Sequence, residues 1–210
     1  MGDRAPTVAA LRVAVRRALR SRVPARLPDG ECETRAAVVL VLAAFDAAYD
    51  QPEARLLLIR RARVAGDPWS GHVALPGGRA EPGDASLRET AVRELAEETG
   101  LRVKEDEFLG RLDERHPRTR RLPSIGITPF VAWPERIGAV VESDEVAGHF
   151  WVPLRTLVAP AARETIRQAG IPPRDRPAIV HDGHVIWGLT LAIIEEFAAI
   201  IRNLPPGWTT

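Results

Sequence analysis

The stretch from His72 to Leu101 constrains this chain more than any other. It opens on a short strand, His72-Val73-Ala74-Leu75, which Pro76-Gly77-Gly78 stops. A polar loop follows, and Ser86-x-x-Glu89 then supplies the residues of a capping box. Good helix formers fill Leu87 to Glu98, and Gly100 stands where a left-handed C-cap belongs. At about 100° per residue, Glu98 and Glu97 lie about 40° and about 60° to either side of Glu94, so three carboxylates share one face. Ala91, Val92, Leu95 and Ala96 form the adjoining face, which can pack inward.

That arrangement works against the helix. Like charges three or four residues apart cost about 0.2–0.5 kcal/mol per pair. Negative charge near the C-terminal end also opposes the helix dipole. A solvated acidic face, relieved by Arg93 or Arg102, is one answer. The other is a site for hard cations: Mg²⁺ prefers oxygen ligands, typically one or two carboxylates together with substrate phosphates. The glycine pair favours the second answer, because Gly77 and Gly78 let the backbone approach an ion or a phosphate closely.

The flanking segments read as a mixed sheet. Ala36 to Leu42 and Arg55 to Arg60 are strands joined without a helix, which argues against a doubly wound fold. Phe108 to Leu112, Ile125 to Trp133, His149 to Val152 and Val185 to Trp187 are further strands, and Leu189 to Ile201 is a final apolar helix. Ala159 to Pro177 is rich in proline and poorly patterned. Val8, Leu11, Val15 and Leu19 recur at helical spacing in an arginine-rich start, which reads as an amphipathic helix packed on the domain; a transit peptide is the competing reading. The expected organisation is a helix and linker over 1–34, one main domain over 35–203 and a tail over 204–210.

Composition narrows the function classes. The net charge of +1 gives no electrostatic call for nucleic acid or a membrane surface. No apolar run approaches the ~18 residues of a membrane span. A single cysteine, Cys32, excludes an internal disulfide and favours a reducing, cytoplasmic setting. The five histidines show no zinc-site spacing.

Gly78 to Leu101 resembles the Nudix box. The second half, Arg93-Glu94-Leu95-Ala96-Glu97-Glu98-Thr99-Gly100-Leu101, matches throughout. In the first half Asp84 stands where glutamate is usual, and eight residues rather than seven separate it from Arg93. That departure is similar to the coenzyme A pyrophosphatase branch, as are Trp69 to Gly78 and Ile186-Trp187-Gly188-Leu189-Thr190. The resemblance implies an α/β fold: an α/β/α sandwich with a mixed sheet, here with added N- and C-terminal helices. It implies Mg²⁺- or Mn²⁺-dependent hydrolysis of the pyrophosphate bond of a nucleoside diphosphate derivative, with coenzyme A or an acyl form the leading substrate. ADP-ribose, nucleotide sugars or dinucleotides are the alternative, and an inactive nucleotide-binding module is the rival of another class.

Carried over residue by residue, the resemblance makes Glu94, Glu98 and the Gly77 carbonyl metal ligands. Glu97 would bind a second metal or orient the attacking water, and Arg93 would hold a glutamate. Glu145, in the acidic group Glu142, Asp144 and Glu145, is the candidate general base. Arg60, Gly78 and Trp69 are the candidate substrate-binding residues, Trp69 as a stacking surface for adenine. The expected partner is a small-molecule diphosphate, with no nucleic acid and no membrane; monomer and homodimer both stay open.

Overall fold

One long strand organises the molecule. In the computed structural model, which describes residues 7–45, 53–66, 69–117, 124–159, 162–168 and 174–204, β1 runs over Thr34–Phe45. Its first part pairs in parallel with β6 (Ile125–Ala132) and its end pairs antiparallel with β2 (Glu53–Arg61). The strand order is β3-β2-β1-β6-β5, with β3 at Val73–Ala74 and β5 at Phe108–Arg111. Two further strands attach: β4 (Gly77–Arg79) to β1 and β7 (Val146–Pro153) to β2.

The alternation along β1 makes two cores. Ala37, Val39 and Val41 face helix α2 (Leu87–Thr99) and pack with Leu57, Ala91 and Leu95. Leu40 and Leu42 face the other way, against α1 (Val8–Arg20), α3 (Leu154–Val158) and α4 (Gly188–Arg202). This is an α/β/α sandwich on a mixed sheet, as expected. The amphipathic start is packed, with Leu11, Val15 and Leu19 all buried. Among the described residues, no helix is long and apolar enough to cross a membrane.

Two expectations need correction. The proline-rich stretch holds β8 (Arg163–Gln168) and β9 (Arg174–His181), which with β10 (His184–Trp187) form a second, three-stranded sheet ordered β10-β9-β8. β3 does end before Pro76, but the glycine pair is itself part of a strand, with Gly77 opposite Val38 and Gly78 opposite Ala37.

Candidate active site

The site is built where β4 and α2 meet. Ser86 caps α2 by accepting from the Glu89 N–H at 3.2 Å. The return bond falls one residue earlier than in a capping box: Glu89 Oε2 accepts from the Ala85 N–H at 2.8 Å. Gly100 ends the helix at φ 69°. The three glutamates are not a uniformly solvated face. Glu98 is 3% exposed, whereas the side chains of Glu94 and Glu97 are 16% and 58% exposed.

Both glycines are required by close approach. A Cβ on Gly77 would stand 2.2 Å from the Ala37 carbonyl oxygen, and the residue lies at φ 144°. A Cβ on Gly78 would stand 2.3 Å from Glu94 Oε1. The Gly77 N–H donates to Glu98 Oε2 at 2.8 Å, so the loop backbone and the buried carboxylate touch directly.

Arg93 holds the acidic face together. Its Nε and Nη2 each donate to Asp84 at 3.0 Å, its Nη1 donates to Glu94 at 3.1 Å and to Glu97 at 2.9 Å, and Nη2 also reaches the Arg79 carbonyl. Asp84 further accepts from the Glu81 N–H and the Thr90 hydroxyl. The Arg93 hydrogen bonds hold the Asp84 carboxyl well below the usual carboxylate range. Asp84 therefore anchors Arg93; Ser86 does the capping.

Glu145 reaches the same place from the sheet. At β7 the register slips, because Arg60 pairs with Gly148 while Arg61 pairs with Val146. The bulge bends the strand, and bulges re-aim neighbouring side chains. The Glu145 carbonyl accepts from the Ala62 N–H at 2.8 Å, and the neighbouring Ser143 N–H donates to the Glu98 carbonyl at 3.3 Å. Burial pushes the Glu98 carboxyl up to about 7, and the charges of Glu94 and Glu145 push the same way; the Gly77 N–H and the Arg61 charge oppose them. Burial also raises Glu94, against the pull of Arg93. Glu142 is engaged by His149, with Nδ1 2.6 Å from its Oε1.

The remaining candidates fall outside this cluster. Arg60 Nη2 lies 3.0 Å from His184 Nδ1, and His184 stacks on Phe150. It is Arg61, unsuspected from the sequence, whose charge bears on Glu98. The Trp69 carbonyl accepts from the His72 N–H at 3.1 Å. His72 in turn meets Trp187 edge-on at 4.9 Å, and the Thr190 hydroxyl donates to the Val73 carbonyl. The two segments flanking the box in resemblance are thus neighbours in space. Arg115, Arg118, Arg120 and Arg121 cluster in sequence, and the last three lie outside the described residues.

The NUDIX domain sequence model matches residues 34–173. This chain belongs to the Nudix family. It is 34% identical over 151 residues, 70% of its length and 73% of theirs, to proteins named "Uncharacterized Nudix hydrolase NudL" from Yersinia pestis and Yersinia pseudotuberculosis. A MutT/nudix family protein from Enterococcus faecalis shares the fold at a TM-score of 0.56 and 18% identity, over 95% of this chain and 71% of that one. The chain is a Nudix pyrophosphohydrolase, with all three box glutamates of α2 in place, and the inactive-module alternative is set aside.

Nudix hydrolases generally use a divalent metal. Among the described residues, no three His, Cys, Asp or Glu side chains converge as a ready ligand group. Arg93 now takes Glu94 and Glu97. The donor set nevertheless fits a hard cation. The donors are carboxylate oxygens, and Glu94 and Glu145 both raise the proton affinity of buried Glu98. A divalent cation would remove that mutual repulsion.

Proposed function

We propose that this Nudix hydrolase uses Mg²⁺ or Mn²⁺ to cleave the pyrophosphate bond of a nucleoside diphosphate derivative in the cytoplasm, with coenzyme A or acyl-CoA as the leading substrate. The observation that carries the reading is the buried Glu98 carboxylate, bonded to the Gly77 N–H and pressed by Glu94 and Glu145. Glu94, Glu97, Glu98 and the Gly77 carbonyl would hold the metal. Bound there, the cation would neutralise the diphosphate and assist in-line attack by water.

The chain's own residues supply the rest. Arg93, anchored by Asp84, fixes the rotamers of Glu94 and Glu97. Gly78 leaves Glu94 room beside the strand. Glu145 takes the proton of the attacking water from the β7 side. Arg60 and Trp69, at the edge near His184 and His72, bind the nucleotide portion of the substrate.

The test is a diphosphate panel incubated with Mg²⁺ or Mn²⁺, with products identified by mass. Release of 3′,5′-ADP selects coenzyme A, and AMP from ADP-ribose selects the alternative. Glu98→Gln should lower turnover by at least roughly 100-fold with the fold intact. An unchanged rate removes Glu98 from the mechanism.

A further inference from the structure

A cavity of about 590 Å³ opens at the other end of α2 from the buried glutamate. Its walls come from the linker after α1, the start of β1, the first turn of α2, and strands β5 and β6. Ser86 lies eight residues before Glu94, about 12 Å along the helix, and none of Glu94, Glu97, Glu98 and Glu145 lines the cavity. The cavity is therefore separate from the carboxylate cluster.

Its charge is cationic. Arg26, Arg35, Arg88 and Arg111 all line it, against Asp29 and Glu114. Glu114 is already committed: it accepts from Arg35 and Arg111, from the Leu27 N–H and from the Thr128 hydroxyl, which leaves Arg26 and Arg88 as the cations it does not hold. Arg35 retains a buried Nε–H with no acceptor among the described residues. Arg26 and Arg88 are exposed, one on the linker and one in the first turn of α2, where the helix dipole also favours an anion; Arg88 meets Glu105 at 2.6 Å in a solvent-facing pair that a phosphate can replace. Guanidinium groups match phosphate oxygens in a bidentate fork. Leu27, Leu87 and Phe130 add apolar surface, and the volume falls within the roughly 300–1,000 Å³ of small-molecule sites.

We propose that this cavity binds a phosphate-bearing small molecule of nucleotide size, at a site distinct from the hydrolytic centre. The phosphate sits among Arg26, Arg35 and Arg88, and the organic portion lies against Phe130. The inference does not depend on the substrate or metal assigned to the catalytic cluster.

The chain carries its own reporter. Cys32, its single cysteine, lines the cavity and is partly accessible. The rate of Cys32 alkylation by N-ethylmaleimide, in EDTA, is measured with and without AMP. At tenfold over its Kd, AMP should slow alkylation about tenfold. Arg26→Gln and Arg88→Gln, both on the surface, should abolish the protection, and Glu98→Gln should preserve it. Inorganic phosphate at the same concentration should protect less. No protection by AMP, or undiminished protection in both arginine variants, overturns the site. Loss of protection in Glu98→Gln assigns AMP to the catalytic cluster instead and overturns it too. Equal protection by inorganic phosphate overturns the nucleotide-sized ligand.

Discussion

Glu98 carries a cost that burial sets and two neighbouring carboxylates enlarge. Unfolded, it releases its proton near its ordinary value of 4.5; folded, it holds that proton up to about 7. Between those limits the native state binds the extra proton, so stability falls as pH rises from about 4.5 to about 7 and stays lowered above. The loss is on the order of 3 kcal/mol at most. Urea titrations of metal-free protein across that window should show the decline, and Glu98→Gln should flatten it. A wild-type profile with no decline would contradict the burial argument. The two glycines separate by the same residue-level reasoning. Gly77→Ala forces a Cβ into the Ala37 backbone at an unfavourable φ and should cost about 2–4 kcal/mol. Gly78→Ala meets only the far end of the Glu94 side chain, which can turn aside. It should leave the melting temperature nearly unchanged while turnover drops. Equal thermal losses in both variants would refute the distinction.

At the scale of elements, Arg93 joins α2 to β4 through the Arg79 carbonyl and to the loop between them through Asp84. Asp84→Asn removes the charged half of the clamp and frees the guanidinium that fixes Glu94 and Glu97. Such outer-shell losses run to roughly 10–100-fold in metal affinity or activity. Titrating activity with Mn²⁺ should show the variant needing correspondingly more metal; an unshifted titration would leave Asp84 a purely local loop anchor. The sequence made α2 legible because its cap, its apolar stripe and its terminal glycine all agree. Which glutamate faces inward was not legible, since Glu98 is buried by the approach of Gly77 rather than by any local pattern. The role of Asp84 was hidden for a similar reason: Arg93 meets it across a loop. β9 was missed because Pro177 interrupts its pattern and yet lies in the middle strand of the small sheet, opposite Thr165. Proline in a central strand normally argues against a strand at all. β4 was missed because its glycines read as a stop, although a strand glycine also marks close backbone approach.

Across the whole molecule, the N-terminal helix is part of the core and sets the linker that follows it. Gly110 on β5 has no side chain where Leu19 sits; a Cβ there would lie 2.8 Å from Leu19 Cβ. Arg22, just after the helix, donates to Glu196 on α4 at 2.6 Å and to Asp113 at 2.7 Å, and Arg115 reaches the same glutamate. These bonds tie the first and last helices to the sheet and position residues 26–30 and Cys32 as a cavity wall. If α1 were a detachable targeting or membrane-surface segment, its two faces would tolerate change equally. The structure says otherwise: Val15 is fully buried, whereas Val13 is 68% exposed. Val15→Asp places a carboxylate in the apolar core and should destabilise the protein by about 3 kcal/mol or more. Val13→Asp should stay within about 0.5 kcal/mol of the parent. Urea unfolding of the two variants decides the matter, because they share the helix, the new residue and the added charge, and differ only in the face that carries it. Matching midpoints would mean that α1 is not packed in solution, and the linker wall of the cavity would then lose its support.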